Sequence, residues 1–443
     1  MAAVVLLRAL GAAASPDEGT VDVKTLSRLH DPVVVRTALL TGVPDRGTAG
    51  YRLYAVRQGR LEPIPFQFDA RASDGELVLS EDGAETDFTF DADDELVFMA
   101  KDTGDRAAGT ELPDAGDAAL EIEVMDQGRT QHGWAYLAHF AADPPPCSAI
   151  RYATFDTARQ EARALSYEVS YSHERSNFLA GVRIPPAAGG TGENLIARVM
   201  MRISPTFSFL VKTWQPTFTE ESFSVVPDGV KNGPVRAVRR VRQFLDLGKP
   251  FPEIPSGRVY TYYYFSSFTT PSTFSVPWLV LKTLRDFRFE EVARLGVQAS
   301  GMQYWDAANP EGVPFAGGGR PAAVDSDHDW WVMSGSRGTC LHALVIPDQW
   351  RDWGIKRGIV FQDPAATELD GGGHLGAGYS LLRMTNLRRP GAYQIDSALI
   401  VLPHRYRPGD EAEALAALRN PLRVEIRPVP SDGGLTRSAS AAP

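Results

Sequence analysis

The sequence is poor in cysteine. Cys147 and Cys340 are the only two cysteines among 443 residues, and no Cys-x-x-Cys pair occurs. Zinc ribbons, thioredoxin-type redox sites and c-type haem attachment depend on such a pair, so these three classes are excluded. The two cysteines fit one disulfide in an exported protein, and they equally fit two free thiols in a core.

The sequence also lacks a net positive charge and long apolar runs. The formal net charge is −10 at pH 7, whereas binding a polyanionic nucleic acid needs a basic surface that releases counterions. We therefore expect no nucleic-acid partner. No later stretch approaches the ~18 consecutive apolar residues of a membrane-spanning helix, so we expect no membrane span.

Several catalytic motifs are missing. The sequence has no Gly-x-Ser-x-Gly elbow, no P-loop and no His-Glu-x-x-His motif. The glycine-rich stretch DGGGHLGAGYS (370–380) lacks the Gly-x-Gly-x-x-Gly spacing and comes before a strand. We interpret it as a β loop.

The N-terminal residues resemble a shortened secretory signal. Small and apolar residues lead to Ala12-Ala13-Ala14, followed by a polar Ser-Pro-Asp-Glu segment, which fits a signal cleavage site. Arg8 interrupts the apolar run. We predict a leader over residues 1–20 and a periplasmic or extracellular location.

Alternation of apolar and polar residues, which is typical of half-buried strands, dominates the rest of the chain. It predicts strands over 120–126, 133–140, 197–205, 338–347, 393–403 and 422–429. Turn signals such as Pro-Asp-Gly (227–229) separate such segments.

Helical signals are few. Residues 280–296 fit either a helix or a strand. A helix is predicted near the end, with Asp410 as its cap and Glu413 completing a capping box. Leu415 and Leu418 would share its apolar face, and Pro421 follows its end.

The triple proline in ADPPPCSA (142–149) predicts a domain boundary, because proline resists both helix and sheet interior. We expect a smaller N-terminal β domain over 21–145 and a large β-sandwich over 146–430, in which many strands form two packed sheets. Residues 431–443 have the composition of a disordered tail. The predicted fold is mostly β with few helices, and its oligomeric state stays open.

Two acidic stretches could hold a calcium ion, since carboxylates at near-alternate spacing are hard oxygen ligands. The candidate metal ligands are Asp91, Asp93 and Glu95 in the first stretch and Asp325, Asp327 and Asp329 in the second. The EF-hand pattern fails in the first stretch, which lacks its glycine and its final glutamate. Ordinary charged turns before strands remain the alternative.

Aromatic and basic side chains are candidate ligand contacts. Trp330 and Trp331 follow His328 and should point to opposite faces of one strand, so one tryptophan is core while the other could stack on a sugar ring. Arginine forks bind carboxylates, which suggests an acidic sugar or another anion. The candidate arginines lie on predicted strands: Arg198, Arg202, Arg236, Arg240 and Arg242. Pairing of these arginines with the chain's own carboxylates is the alternative.

A β-elimination reaction would need a tyrosine or histidine base and a group that neutralises the substrate carboxylate. Residues of these types that could act as catalytic groups are His173, Tyr171, Tyr262, Tyr264 and Arg240. The sequence does not show whether they meet.

Three segments carry a family resemblance: DGVKNGPVRAVRRVRQF (228–244), YWDAANPEGVPF (304–315) and LRMTNLRRPGAYQIDSALIVLP (382–403). Together with the strand that begins at Trp330, they resemble the galactose-mutarotase-like supersandwich of bacterial polysaccharide lyases and related secreted carbohydrate-active proteins. The resemblance covers residues 150–430 and implies a saccharide bound across a concave sheet. It transfers no catalytic residue.

The sequence therefore predicts an exported bacterial protein that binds or cleaves an extracellular carbohydrate, with an acidic carbohydrate favoured over a neutral one. Whether it is an enzyme stays open. The alternative is a non-catalytic surface or assembly protein whose aromatic and arginine faces form interfaces.

Overall fold

Five antiparallel sheets contain the strands of the protein that the structure describes. The structure is a computed structural model, and it describes residues 22–44, 47–80, 88–107, 118–173, 178–209, 212–246, 253–276, 278–315, 329–347, 354, 356–361, 378–385 and 391–429. The predicted leader and tail lie outside these residues. The prediction of a mostly β fold with few helices is confirmed.

Two of the sheets form an N-terminal module around one core, to which Leu53, Phe98 and Leu120 contribute. The five-stranded sheet has the order β27 (Arg423–Pro428), β6 (Ala118–Met125), β7 (His132–His139), β2 (Tyr51–Arg57) and β3 (Arg60–Pro63). The three-stranded sheet has the order β1 (Pro32–Arg36), β5 (Glu95–Met99) and β4 (Phe66–Asp69).

Strand β27 belongs to the N-terminal sheet although it is the last strand described. Its register with β6 runs from Arg423 opposite Met125 to Pro428 opposite Leu120. We predicted this segment as part of the sandwich domain, and that placement is wrong. Local alternation predicts a strand but carries no information about its partner.

The larger part of the chain is a two-sheet sandwich. Its nine-stranded sheet has the order β15 (Phe223–Asn232), β16 (Ala237–Leu245), β17 (Ile254–Tyr263), β18 (Ser267–Val276), β26 (Gly391–Leu402), β23 (Gly338–Val345), β22 (Trp330–Gly335), β20 (Gln303–Asp306) and β21 (Asn309–Pro314). The six-stranded sheet has the order β13 (Lys212–Trp214), β12 (Ile196–Phe209), β19 (Leu284–Leu295), β25 (Gly378–Thr385) and β24 (Lys356–Phe361), and β14 (Phe218–Thr219) pairs with β12. A four-stranded sheet has the order β11 (Leu179–Arg183), β10 (Glu168–Tyr171), β9 (Glu161–Ala164) and β8 (Ala153–Asp156).

The inner faces of the two large sheets share a core. Leu344 and Tyr393 of the nine-stranded sheet pack with Met384 and Phe289 of the six-stranded sheet. Because successive side chains alternate between faces, the residues between these apolar positions point outward. Each large sheet therefore has an outer face directed away from the other sheet.

Two helices occur among the described residues, α1 (Trp278–Thr283) and α2 (Asp410–Arg419). Residues 280–296 thus combine the end of a short helix with strand β19. Helix α2 is where we predicted it, and Leu415 and Leu418 pack on Leu341 and Ile400. The predicted cap is wrong, because Gly409 is the N-cap at φ +111° and no side chain caps the helix.

Both cysteines are free thiols, Cys147 exposed and Cys340 buried. Within the described part of the chain, no helix has the length and apolar character needed to cross a membrane.

Candidate functional site

A β-bulge in β15 positions a cluster of charged side chains on the outer face of the nine-stranded sheet. The register with β16 shifts between Pro227 and Val230, so Pro-Asp-Gly is a bulge inside a strand and not the turn we predicted. Gly229 has φ +124°, and a Cβ there would lie 2.7 Å from Cβ of Leu79. Bulges re-aim side chains, and this one directs Asp228 toward β16.

Asp228 is the centre of a group that we call the Arg240 cluster: Glu76, Asp228, Arg240, Arg242, Arg258 and Tyr260. The Asp228 carboxylate lies 2.8 Å from Nε of Arg240, 3.2 Å from Nε of Arg242 and 3.9 Å from Nε of Arg258. The 2.8 Å contact is not aligned as a hydrogen bond, so it acts through charge. Glu76, from the N-terminal module, lies 3.6 Å from Arg240 and 3.7 Å from Arg258.

The tyrosines of β17 support this cluster. The Tyr260 hydroxyl donates to Glu76 and accepts from Arg240 at 2.9 Å. Burial, and then the hydrogen bond to Glu76, raise the pKa of Tyr260, so its phenol stays protonated at neutral pH. The Tyr262 ring is stacked on Tyr260 at 5.9 Å, and the Arg236 guanidinium lies 5.0 Å from the Tyr262 centroid. The partly buried Tyr262 ring therefore packs between Tyr260 and Arg236.

Beyond the cluster, four exposed polar residues lie side by side on neighbouring strands. Arg242 pairs with Arg258 in register, Val259 pairs with Ser272, which places Thr273 beside Arg258, and Thr273 pairs with Gln394. The two arginine side chains are 48% and 49% exposed. We call these residues, Arg242, Arg258, Thr273 and Gln394, the polar row. At about 4.8 Å per strand, it is about 14 Å long.

Other predicted residues of this face are buried where the N-terminal module covers the sheet. Arg236 lies under the N-terminal module, where it pairs with Asp69 at 2.7 Å and with Glu95 at 2.8 Å. It also donates to the Tyr264 hydroxyl at 3.3 Å, and burial raises the pKa of Tyr264. The predicted ligand role of Arg236 and the catalytic role of Tyr264 are replaced by a contact between the two modules.

The predicted catalytic residues do not come together. Tyr171 lies in the core on the inner side of the nine-stranded sheet, where its hydroxyl accepts from Tyr263 at 2.7 Å and Arg239 covers its ring at 4.3 Å. His173 is exposed just beyond β10. Arg240 and Tyr262 are on the outer face, so a layer of sheet separates them from Tyr171.

The tryptophan pair points to opposite faces, as predicted. Trp331 is in the inner core, stacked on His342 at 5.5 Å. Trp330 is half-buried on the outer face, and its ring centroid lies 6.3 Å from that of Tyr406. Asp329 is buried and pairs with Arg419, so it is an ion-pair residue. His328, Asp325 and Asp327 lie outside the described residues.

The first predicted calcium stretch is an ordinary turn followed by ion pairs. Asp91 and Asp93 are exposed, and the Asp91 carboxylate accepts from the backbone N–H of Asp93 at 3.0 Å. Glu95 is buried between Arg71 and Arg236. No group of three or more potential metal ligands is present in the part of the chain that is described.

The remaining predicted arginines are on the other large sheet. Arg202 of β12 is half-buried and pairs in register with Glu290 of β19, and the backbone of Arg198 pairs with Arg294. The side chain of Arg198 is not among those described.

Sequence reasoning missed Glu76, Asp228, Arg258 and Tyr260. Arg258 and Tyr260 alternate along β17 with Tyr262, so this spacing was a usable signal. Glu76 comes from the N-terminal module, more than 150 residues before Arg240 in the sequence, and no local pattern indicates that contact.

No family model matches the chain, and no curated protein matches it. Among solved structures, it is similar to an α-mannosidase from Enterococcus faecalis V583, at 8% identity and a TM-score of 0.41, over 92% of this chain and 44% of that one. A glycosyl hydrolase family 38 protein from Enterococcus faecalis gives 10% identity and a TM-score of 0.44, over 91% of this chain and 47% of that one. A galactose mutarotase related enzyme from Lactobacillus acidophilus gives 8% identity and a TM-score of 0.33, over 54% of this chain and 95% of that one. The chain thus spans less than half the length of the first two, and at these TM-scores the similarities assign no activity.

Proposed function

We propose that the protein binds an anionic carbohydrate, such as a uronic-acid chain, along the polar row. The observation that carries this proposal is the adjacent, half-exposed pair Arg242 and Arg258, which Asp228 holds in place. Guanidinium groups bind carboxylates through two parallel hydrogen bonds. Thr273 extends the row with a hydroxyl, which can hydrogen-bond a sugar hydroxyl. The side-chain nitrogen of Gln394 already donates to Asp396 at 3.0 Å, so its carbonyl oxygen is the group offered to a sugar.

The electrostatics favour an anion at this position. The Arg240 cluster contains three guanidiniums and two carboxylates, so one positive charge is in excess in a chain whose net charge is −10. Arg242 contacts Asp228 through Nε, and in this proposal its terminal nitrogens bind the ligand. Anchoring by Asp228 also reduces the side-chain entropy lost on binding.

Binding is better supported than β-elimination. An eliminating enzyme needs a base near the carboxylate-binding arginine, and Tyr260 remains protonated because its pKa is raised. The competing surface or assembly role would use the same exposed arginines against a protein partner. Export to the periplasm or beyond stays part of the proposal, and its support is the N-terminal sequence alone.

Calorimetry with tetragalacturonate tests the proposal. The double variant Arg242→Gln/Arg258→Gln should bind the ligand at least tenfold more weakly, because each charged hydrogen bond contributes about 1.5–3 kcal/mol. Arg159→Gln is the matched control, since Arg159 is also exposed but lies on the β8–β9 turn. The proposed site would be refuted if the protein bound a neutral glucan in place of the acidic oligosaccharide. It would also be refuted if the wild type, the double variant and Arg159→Gln had equal affinities.

A further inference from the structure

The outer face of the six-stranded sheet carries a second group of arginines. Glu290 of β19 is buried, and its carboxylate accepts from Arg288 at 2.7 Å and from Arg383 at 3.0 Å. Arg202 is the neighbour of Glu290 in register on β12. We call these four residues the Glu290 cluster.

One end of the Glu290 cluster is open to solvent. The Arg288 side chain is 49% exposed and that of Arg383 is 25% exposed, whereas Glu290 is 6% exposed. The guanidiniums of Arg288 and Arg383 both contact the single Glu290 carboxylate. As at Asp228, whose side chain is 19% exposed, a carboxylate that is largely shielded from solvent holds more exposed arginine side chains in position.

The two clusters face in opposite directions. Phe289 and Met384 of the six-stranded sheet pack on the inner face of the nine-stranded sheet, so their neighbours Arg288, Glu290 and Arg383 point outward. Arg242 and Arg258 point outward from the other sheet. With the inner faces about 10 Å apart, a short oligosaccharide on one face cannot reach the other.

We propose that the Glu290 cluster is a second binding site for the same class of acidic carbohydrate, so that one molecule joins two polysaccharide chains. This inference rests on the proposed function. A protein with two opposed sites cross-links long acidic chains, whereas a protein with one site only coats them. When one site has bound a long polysaccharide, its many repeat units raise the effective concentration of ligand near the protein, and the overall avidity increases.

Calorimetry and light scattering together test this inference. The wild-type protein should bind two tetragalacturonate molecules and should increase the scattering of long polygalacturonate chains. Two variants, Arg288→Gln and Arg242→Gln/Arg258→Gln, each remove one site, and in Arg288→Gln the Arg383 side chain still holds Glu290. Each variant should bind one oligosaccharide tightly, and its affinity for the second should fall about tenfold. Neither variant should increase the scattering. Arg159→Gln should behave like the wild type.

Each alternative outcome has a distinct meaning. One bound oligosaccharide that is lost in Arg242→Gln/Arg258→Gln but kept in Arg288→Gln would overturn the second site and leave the proposed function intact. A single bound oligosaccharide that is lost only in Arg288→Gln would overturn both the proposed binding at the polar row and the proposal of two sites. No binding by the wild-type protein would overturn both proposals.

Discussion

Arg236 of the sandwich and Glu95 of the N-terminal module form a buried ion pair of 2.8 Å. Arg236 also pairs with Asp69, which is fully buried and contacts Lys231 at 2.9 Å. Although burial alone would raise the pKa of Asp69, the charges of Arg236 and Lys231 lower it. The modules are therefore joined by compensated charges, which is why an arginine predicted to bind ligand lies inside the protein.

Replacing Arg236 should destabilise the whole protein. Arg236→Met leaves two buried carboxylates short of a partner, and breaking a buried pair costs about 3–5 kcal/mol. Urea unfolding measures this loss. Arg242→Met, at a half-exposed position, should change the free energy of unfolding by about 0.5 kcal/mol or less. A loss below about 1 kcal/mol for Arg236→Met would contradict the role of this ion pair.

His30 should make stability depend on pH. Its Nδ1 lies 2.7 Å from the Ser266 hydroxyl, and burial, with a smaller effect of His404, lowers the pKa of His30 to about 4. Because the unfolded pKa is about 6.5, the unfolded state binds the proton more readily between these values. The contribution of neutral His30 is complete above pH 6.5 and is lost as the pH falls toward 4, at up to about 1.4 kcal/mol per pH unit.

The difference in unfolding free energy between wild type and His30→Asn, followed from pH 7 to pH 4, isolates this effect. The wild type should lose more stability over this range than the variant. Parallel pH profiles for the two proteins would show that His30 titrates normally.

Gly229 should be required for the Arg240 cluster. Gly229→Ala places a Cβ against Leu79 and adds backbone strain at φ +124°, so Asp228 should shift and tetragalacturonate affinity should fall. Gly192→Ala is the matched control, because φ is +79° there but nothing lies within 4 Å. Both variants should lose about 1 kcal/mol of stability from strain, and only Gly229→Ala should lose affinity in calorimetry. Equal tetragalacturonate affinities in the two variants would show that the bulge does not position the binding residues.

The two thiols should react at different rates. Burial raises the pKa of Cys340 to about 12, and Cys147 is exposed. Since the thiolate is the nucleophile, a thiol reagent at pH 8 should modify one cysteine in the native protein and two after denaturation. Two fast modifications, or none, in the native state would contradict this arrangement.

Alternation of side chains was sufficient to predict strands β6, β7, β12, β23 and β26, because only an extended backbone buries every second residue. It also predicted that Arg240 and Arg242 lie on a strand, which is β16. The site itself needed information that local pattern does not contain. Pro-Asp-Gly is typical of a turn, but it is a bulge inside β15, beside which Val230 exchanges backbone hydrogen bonds with Ser80 of the N-terminal module. Arg236 continues the alternation of β16 and yet meets Asp69, 167 residues away in the sequence.

The placement of β27 has a consequence for biosynthesis. Leu120 and Pro428 are paired in the same sheet but are about 300 residues apart in the chain. At about 5–20 residues per second, the ribosome delivers the closing strand roughly 15–60 s after β6. During that interval β6 has an unprotected edge, which is a template for intermolecular pairing. A holding chaperone that shields this edge should therefore raise the yield of native protein.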